Sequence, residues 1–386
     1  MVISRVNSLA SQIANGGSNN LNAIRLMLAL AVILSHAQVL SIGFTKGEPL
    51  FTWTHEQETF GTVAVDLFFF ISGMLITASW FRSKSMNDYL MKRVLRIYPG
   101  FVTAVLFTGA IIWVLFPEFR ANAGHGLSWL ETMVEDCVFL TRKSLVGWHW
   151  TGIFPDNPDP NDANESLWTI PYEFSCYFLI LWLGLFCLLK YRRLILASFL
   201  CIFLFNVVKS NHAEGFFSGN NFLPSNCRFL TYFLAGTCTW LWRDKILFSW
   251  TIALGCLITL LVASQFTPWF SVIFPFTGSY LILWLGFGPK LRCLDWTNRT
   301  DLSYGIYLYA WPIQQIVAMH RPLRHPWLNF LISTPVALFF AWLSWNFVEK
   351  KFLAKKNVSV QDFDPGDSDK QHLSRAAMAL YAKKGA

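Results

Sequence analysis

Three ionisable side chains with the chemistry of an acid–base catalyst lie inside long apolar stretches of this sequence. His36 belongs to the run LNAIRLMLALAVILSHAQVL, Asp66 to GTVAVDLFFFISGMLIT, and Glu173 to SLWTIPYEFSCYFLI. An ionisable group inside a membrane span costs about 3 kcal/mol in insertion experiments, so its presence marks a functional candidate. An imidazole can act as a general base, and a nearby carboxylate can orient it and stabilise its protonated form.

These three residues are expected to share one depth in the membrane. His36 lies about 9 Å from the end of its apolar run, Asp66 lies a similar distance from the start of the next run, and Glu173 lies about 10 Å from the start of its run. We therefore predict that His36, Asp66 and Glu173 form one catalytic site in the outer half of the bilayer. Either carboxylate could be the partner of His36.

Three arginines form a second candidate cluster, at the cytoplasmic edge of the membrane. Arg25 precedes His36 by eleven residues, about three helical turns, so both lie on one helix face. Arg93 and Arg96, in YLMKRVLRIYPG, are three residues apart and also share a face. Forked hydrogen bonds from such a cluster suit the phosphates of a bound ligand, so Arg25, Arg93 and Arg96 are predicted cofactor-binding residues.

Each of these residues also has a structural interpretation. Arg93 and Arg96 could serve only as topology determinants. Asp66 could neutralise a buried cation, His36 could be a packing histidine, and Glu173 could cap the start of a helix.

Composition places the elements that carry these residues in a membrane. Of 386 residues, 54% are hydrophobic and only 14% are charged, whereas soluble domains carry about 25% charged residues. The net charge of +8 comes from short clusters between apolar runs, as expected for loops, and does not form a nucleic-acid surface. Membrane lipid is therefore the expected surrounding, and nucleic acid is excluded as a partner.

The apolar runs predict an all-α, polytopic membrane protein with about ten transmembrane helices. A spanning helix needs about 20 mostly apolar residues. An even number of spans puts both termini on one side, and the lysines and arginines in the loops favour the cytoplasm. The predicted runs are 21–42, 60–81, 98–117, 167–189, 193–210, 225–243, 246–264, 268–288, 301–319 and 327–347.

The long acidic loop over 118–165 raises the question of a metal. Its segment FPDNPDPNDANES is rich in aspartate, but Pro158 and Pro160 break any EF-hand spacing, so we expect no metal. Three tryptophans of this loop are either a sugar-contacting lid or interface anchors: Trp129, Trp148 and Trp150.

Taken in order, several motifs resemble the membrane-bound acyltransferase family 3, the bacterial O-acyltransferases of cell-surface polysaccharides. They are LNAIRLMLALAVILSHA, VAVDLFFFISGMLIT, KRVLRIYP, SLWTIPYEFSCYFL, LSYGIYLYAWPIQQ and WNFVEKKF, and they extend over 22–352. Two departures occur. Ala310 and Trp311 precede Pro312 where many members have a histidine, and Lys351 replaces the closing proline.

The resemblance implies an acetyl-CoA-dependent O-acetyltransferase of the bacterial inner membrane. Residues 21–353 would form the acyltransferase domain, between cytoplasmic tails at 1–20 and 354–386 and without an appended esterase-like domain. Acyl-CoA would bind from the cytoplasm, and the acceptor would be a hydroxyl of a surface glycan or lipid-linked oligosaccharide. His36 would act as general base or carry the acyl group. Aromatic residues of two motifs are the candidates for substrate binding: Trp168, Tyr172, Tyr304 and Tyr307.

A proton-coupled transporter or a flippase is the alternative. Intramembrane histidine and carboxylates are also parts of proton relays. However, the sequence has no detectable inverted repeats, which many transporters contain, and a transporter would give the paired arginines no role.

Overall fold

Ten long helices form the part of the chain that the computed structural model describes, which comprises residues 8–14, 19–117, 137, 152–210, 222–288, 292–320 and 324–354. No β-strand occurs in these ranges, so the predicted all-α fold is confirmed. Each of the ten apolar runs overlaps one helix. They are α1 (Leu21–Ile42), α2 (Phe60–Arg82), α3 (Met86–Leu115), α4 (Ile170–Leu185), α5 (Arg192–Ser210), α6 (Phe222–Leu241), α7 (Trp250–Ala263), α8 (Trp269–Phe287), α9 (Ser303–Met319) and α10 (Pro326–Ser344).

Five of the described helices are long and apolar enough to cross a membrane. The number of about ten spans and the cytoplasmic placement of both termini stay predictions. The three loop tryptophans lie outside the described residues. The five helices are Leu21–Ile42, Phe60–Arg82, Met86–Leu115, Trp269–Phe287 and Pro326–Ala354.

Two helices extend beyond the predicted apolar runs. α3 starts at Met86, twelve residues before the expected position, because the Ser85 side chain accepts a hydrogen bond from the amide of Asp88 and caps the helix. A salt bridge of 2.6 Å between Asp88 and Lys92 supports the same polar turn. α10 continues through a π-helical turn at Trp345–Glu349 into Lys350–Ala354. An apolar run identifies only the part of a helix that contacts lipid, so the sequence does not predict the polar ends of α3 and α10.

α2 lies at the centre of the bundle, packed against α1, α4, α6 and α8. It meets α6 at two glycines. A Cβ atom on Gly73 would lie 2.0 Å from the carbonyl oxygen of Phe233, and one on Gly236 would lie 2.0 Å from that of Phe70. Small residues at such crossings let two backbones touch, which is a common form of helix packing in membranes.

α9 is held in the bundle by buried polar contacts. The Gln314 side-chain amide donates to the carbonyl oxygen of Ile33 on α1 (2.9 Å). Asn329 of α10 donates to the carbonyl oxygen of Gln314 (3.1 Å). These bonds fix α9 relative to α1 at Ile33, about one helical turn before His36.

Candidate functional site

A cavity of about 150 Å³ lies between α1, α2, α3, α4 and α9. Six of the predicted site residues line it: Arg25, Arg93, Arg96, Glu173, Tyr304 and Tyr307. Its wall along α2 extends from Val65 to Ile76, eleven residues or about 16 Å. The cavity is therefore elongated, with arginines at one end and mostly aliphatic and aromatic side chains along its length. We call the end formed by Arg25, Arg93 and Arg96 the arginine end.

Arg25 and Arg96 share one carboxylate at the arginine end. Asp301, two residues before α9, accepts at one oxygen from Arg25 (2.9 Å) and from Arg96 (2.6 Å). Its other oxygen accepts from the Ser303 hydroxyl (2.6 Å). These contacts join α1, α3 and the start of α9 at the arginine end.

Arg93 has different surroundings. It is 8% exposed and donates one hydrogen bond of 3.1 Å to the Ser79 hydroxyl of α2. Its guanidinium carbon is 5.8 Å from the ring centres of Tyr89 and Tyr177. No described carboxylate lies within 4.0 Å of Arg93, and its Nε is buried without a hydrogen-bond partner. A cation with this little compensation is suited to a ligand anion.

Glu173 and three tyrosines supply further polar groups to the wall of the cavity. The Tyr177 hydroxyl donates to Glu173, one turn earlier on α4. Tyr304 donates to the carbonyl oxygen of Ile97 (2.8 Å), and Tyr307 is hydrogen-bonded to the Thr169 hydroxyl (2.7 Å).

The predicted substrate-binding residues divide into two groups. Tyr304 and Tyr307 line the cavity. Trp168 and Tyr172 pack against Phe229 of α6 instead. The centre of each of these rings is 5.4 Å from the centre of the Phe229 ring. Their substrate contacts stay predictions.

His36 lies beyond the other end of the cavity, against Trp311. The two ring centres are 4.7 Å apart at an angle of 81°, an edge-to-face contact. Trp311 is buried and donates through its indole N–H to the carbonyl oxygen of Asp162 (3.2 Å). It lies one turn, about 6 Å, past Tyr307 on α9. The Nδ1 atom of His36 is buried without a hydrogen-bond partner.

Asp66 is held by a cation that sequence reasoning did not single out. Arg228 of α6 makes a forked contact with Asp66, at 2.9 and 2.6 Å, and also binds Glu58 at 2.9 Å. The hydrogen bonds of Asp66 with Arg228 and of Glu173 with Tyr177 do not involve His36. Which carboxylate partners His36 stays an open prediction.

Three charged residues of this network were missed although a signal was present. Arg228 and Asp301 fall inside the predicted runs 225–243 and 301–319, and Glu349 lies just after the last run. The cost of an intramembrane charge, the rule that selected Asp66, applies equally to Arg228 and Asp301. Glu349 is 2% exposed and accepts from the Ser344 hydroxyl (3.0 Å).

The acidic segment before α4 brings three carboxylates together. Oxygens of Asp159, Asp162 and Glu165 lie within 4.8 Å of one another, an arrangement that could hold a cation. Burial and, to a smaller extent, the neighbouring Asp159 and Asp162 together raise the pKa of Glu165 to about 8. A bound proton relieves the repulsion within this cluster at neutral pH. The expectation of no metal stays a prediction.

The fold and site thus define a helical membrane protein with a buried, arginine-ended cavity. Residues 18–346 match the family described as an acyltransferase domain, Acyl_transf_3, and the chain belongs to this family. The resemblance found in the sequence is therefore confirmed, and the protein is a membrane acyltransferase.

Two curated relatives are similar over nearly their whole length. The O-acetyl transferase of Shigella phage Sf6 is 30% identical over 361 residues, which cover 88% of this chain and 97% of the relative. Nodulation protein 10 of Rhizobium leguminosarum bv. viciae is 26% identical over 361 residues, covering 87% and 94%. No solved structure matches the chain.

Proposed function

We propose that this protein is an O-acetyltransferase of the bacterial inner membrane. It would move an acetyl group from cytoplasmic acetyl-CoA to a hydroxyl of a cell-surface or lipid-linked glycan. The observation that carries the proposal is the elongated cavity with arginines at one end and an apolar wall behind them. The similarity to a phage O-acetyl transferase supports O-acetylation.

The cavity matches the two chemical parts of an acyl-CoA donor. The phosphates are anionic and suit guanidinium groups, which bind them by forked, charge-assisted hydrogen bonds. The thiol arm is long, thin and uncharged, and suits the passage along α2. A donor held in this way points its thioester toward Tyr307, one helical turn from the contact between Trp311 and His36.

His36 would then act on the acceptor hydroxyl. In direct transfer the imidazole removes the hydroxyl proton, and the oxygen attacks the thioester carbonyl carbon. The carbon–sulfur bond breaks, and the CoA thiolate takes up the proton from the imidazolium. In the second route His36 attacks the thioester first and carries the acetyl group before the hydroxyl attacks. The unpartnered Nδ1 of His36 is compatible with both routes.

Of the two candidate carboxylates, Glu173 is the better placed to assist. It lines the cavity, whereas Asp66 is engaged by Arg228. We therefore assign Glu173 to the cavity chemistry and Asp66 to the ion pair that joins α2 and α6.

Replacing His36 by alanine tests the proposal. General acid–base catalysis contributes about 10²–10⁴-fold to a rate, so His36→Ala is expected to lower acetyl transfer by that factor. The measurement follows labelled acetyl from acetyl-CoA into the extracted glycan, with the amount of membrane-inserted protein determined in parallel. His325→Ala is the matched control, because His325 is an exposed histidine at the start of α10. Normal acetylation by His36→Ala would contradict the proposal.

The same assay separates the two carboxylates. Glu173→Gln is expected to lower the rate while folded protein persists, whereas Asp66→Asn is expected to lower the amount of folded protein because Arg228 loses its forked partner. If Asp66→Asn is fully folded and inactive, Asp66 belongs to the catalytic group instead.

A further inference from the structure

We propose that the phosphates of the donor bind at Arg93, which lines the cavity, and at Arg82, one helical turn past the Ser79 that binds Arg93, and not at Arg25 and Arg96. Asp301 already neutralises Arg25 and Arg96. This inference rests on the proposed function, because it takes acyl-CoA as the donor.

The charges of Arg25 and Arg96 are already neutralised by a shared carboxylate. Both guanidinium groups donate to the same oxygen of Asp301, whose side chain is 11% exposed. The Ser303 hydroxyl fixes the other carboxylate oxygen. A phosphate at this position would meet a buried carboxylate, and displacing that carboxylate would break a buried ion pair, which is strongly unfavourable. The pair Arg25 and Arg96 is therefore a poor phosphate site.

Arg93 is the arginine of the cavity that has no described carboxylate in direct contact, although the Glu173 carboxylate, which is bound to Tyr177, attracts it from beyond 4.0 Å. It is more than nine-tenths buried, it has no described carboxylate within 4.0 Å, and its one hydrogen bond goes to the neutral Ser79. A buried guanidinium needs an anion or several acceptors to offset its lost hydration. The faces of Tyr89 and Tyr177 provide part of this, and a ligand anion would provide the rest.

Arg82 places a second cation beside Arg93. Ser79, which binds Arg93, lies three residues before Arg82 on α2, so one helical turn separates the contact from Arg82. The two guanidinium groups are close enough to repel each other. Arg82 is exposed at the end of α2, and no described carboxylate lies within 4.0 Å of it. Nearby Lys92 is already paired with Asp88.

Arg82 and Arg93 are adjacent guanidinium groups, and no described carboxylate lies within 4.0 Å of either. Together they form a site for a doubly charged phosphate. The exposed Arg82 would make the first contact with the donor, and the buried Arg93 would hold a phosphate where the cavity begins. Arg25, Asp301 and Arg96 would then act as positioning residues that hold α1, α3 and α9 around the thiol arm.

The test measures donor affinity with the full chain in nanodiscs of neutral phosphatidylcholine. Arg82→Ala is expected to weaken acetyl-CoA binding about tenfold, the effect of losing one charge-assisted hydrogen bond. The KM for S-acetylpantetheine, which carries no phosphate, is expected to stay unchanged. Arg192→Ala is the matched control, because it removes an exposed arginine that pairs with Asp244 away from the cavity. It is expected to change neither value.

Asp301→Asn separates the two pairs of arginines. This substitution releases the charge of Arg25 and Arg96, but in the proposal the phosphates do not contact these two arginines, so acetyl-CoA affinity is expected to stay the same. If folded Asp301→Asn binds acetyl-CoA about tenfold more tightly, because the released charge of Arg25 and Arg96 attracts the phosphates, while Arg82→Ala behaves like Arg192→Ala, the phosphates lie at Arg25 and Arg96 and the inference is overturned.

The phosphate bound at Arg82 and Arg93 could also come from an anionic lipid. If Arg82→Ala changes only the amount of retained phosphatidylglycerol and leaves acetyl-CoA affinity unaltered, the inference is overturned, although the wild-type protein still uses acetyl-CoA. A wild-type protein that neither binds acetyl-CoA nor transfers its acetyl group would instead contradict the proposed function.

Discussion

Arg228, Arg96 and Arg93 have different environments in the described helices, and the difference lies in the acids around each side chain. Arg228 is neutralised by Asp66 and Glu58, and Arg96 shares Asp301 with Arg25. Arg93 contacts tyrosine faces and a serine hydroxyl, and the carboxylate nearest in its electrostatics, Glu173, is not in a salt bridge with it. Buried ion pairs mainly hold helices in place, because partners of opposite charge cancel their fields. The uncompensated side chain is the one suited to a ligand.

Glu165 gives a prediction at the residue scale. Its pKa is raised to about 8 from the ordinary value of 4.5, so between these values the folded protein holds a proton that the unfolded chain has released. Wild-type stability is therefore expected to fall as the pH rises through this window. Glu165→Gln removes the group, so its melting temperature relative to wild type should rise from about pH 5 to about pH 8.

Scanning fluorimetry of the purified protein in detergent at several pH values measures this difference. Glu56→Gln is the control, because Glu56 is an exposed glutamate outside the acidic cluster. If the melting temperatures of wild type and Glu165→Gln change with pH in the same way, Glu165 is not protonated in the folded protein and the prediction is wrong. In the same assay, adding Ca²⁺ at pH 8 tests whether Asp159, Asp162 and Glu165 bind a cation.

At the scale of elements, the crossing of α2 and α6 brings the Asp66 and Arg228 side chains together. The crossing depends on Gly73 and Gly236, where any larger side chain would strike the opposite backbone. The close approach also fixes the rotation of α2. One face of this helix then binds Arg228, while another lines the cavity with Val65, Phe68 and Ser72.

Gly73→Ala is expected to destabilise the protein. The added Cβ would lie 2.0 Å from the carbonyl oxygen of Phe233, so the helices must separate, at a cost of about 1–3 kcal/mol. Gly255→Ala is the matched control: Gly255 is also helical, and a Cβ there meets nothing within 4 Å. Thermal unfolding of both variants measures the difference. Equal melting temperatures would show that the two backbones are not in contact at Gly73.

At the scale of the whole molecule, the open question is how many helices cross the bilayer. α7 is the most informative element, since it has only 14 residues and is not among the five helices that are long and apolar enough to cross a membrane. In a ten-span arrangement, the chain before α7 faces the cytoplasm and the chain after it faces outward. The cytoplasmic side would then include the arginine end, where acyl-CoA is available.

Epitope tags placed after Asp244 and after Gln265 test this arrangement. We expect an antibody to reach the tag after Gln265 in intact spheroplasts and the tag after Asp244 only after permeabilisation. Retained acetyl transfer by each tagged protein is the control for correct insertion. Two tags accessible from the same side would show that α7 does not cross the bilayer.

The sequence by itself determined the all-α class, the approximate positions of the ten long helices and six of the residues that line the cavity, among them its three arginines. Long apolar runs and the cost of charge in lipid are local properties, readable without a fold. Even the approach of Arg25 to Arg96 was expected, because both lie at the same end of their helices.

Only the tertiary structure decided which acid neutralises which cation. Arg25 and Asp301 are 276 residues apart in the chain, and Arg228 and Asp66 are 162 apart. Equal depth did not decide contact, because a helix directs residues at one level to different sides. Asp66 therefore meets Arg228, Glu173 lines the cavity and His36 rests against Trp311. The rotation and packing of the helices, which no local pattern encodes, made these assignments.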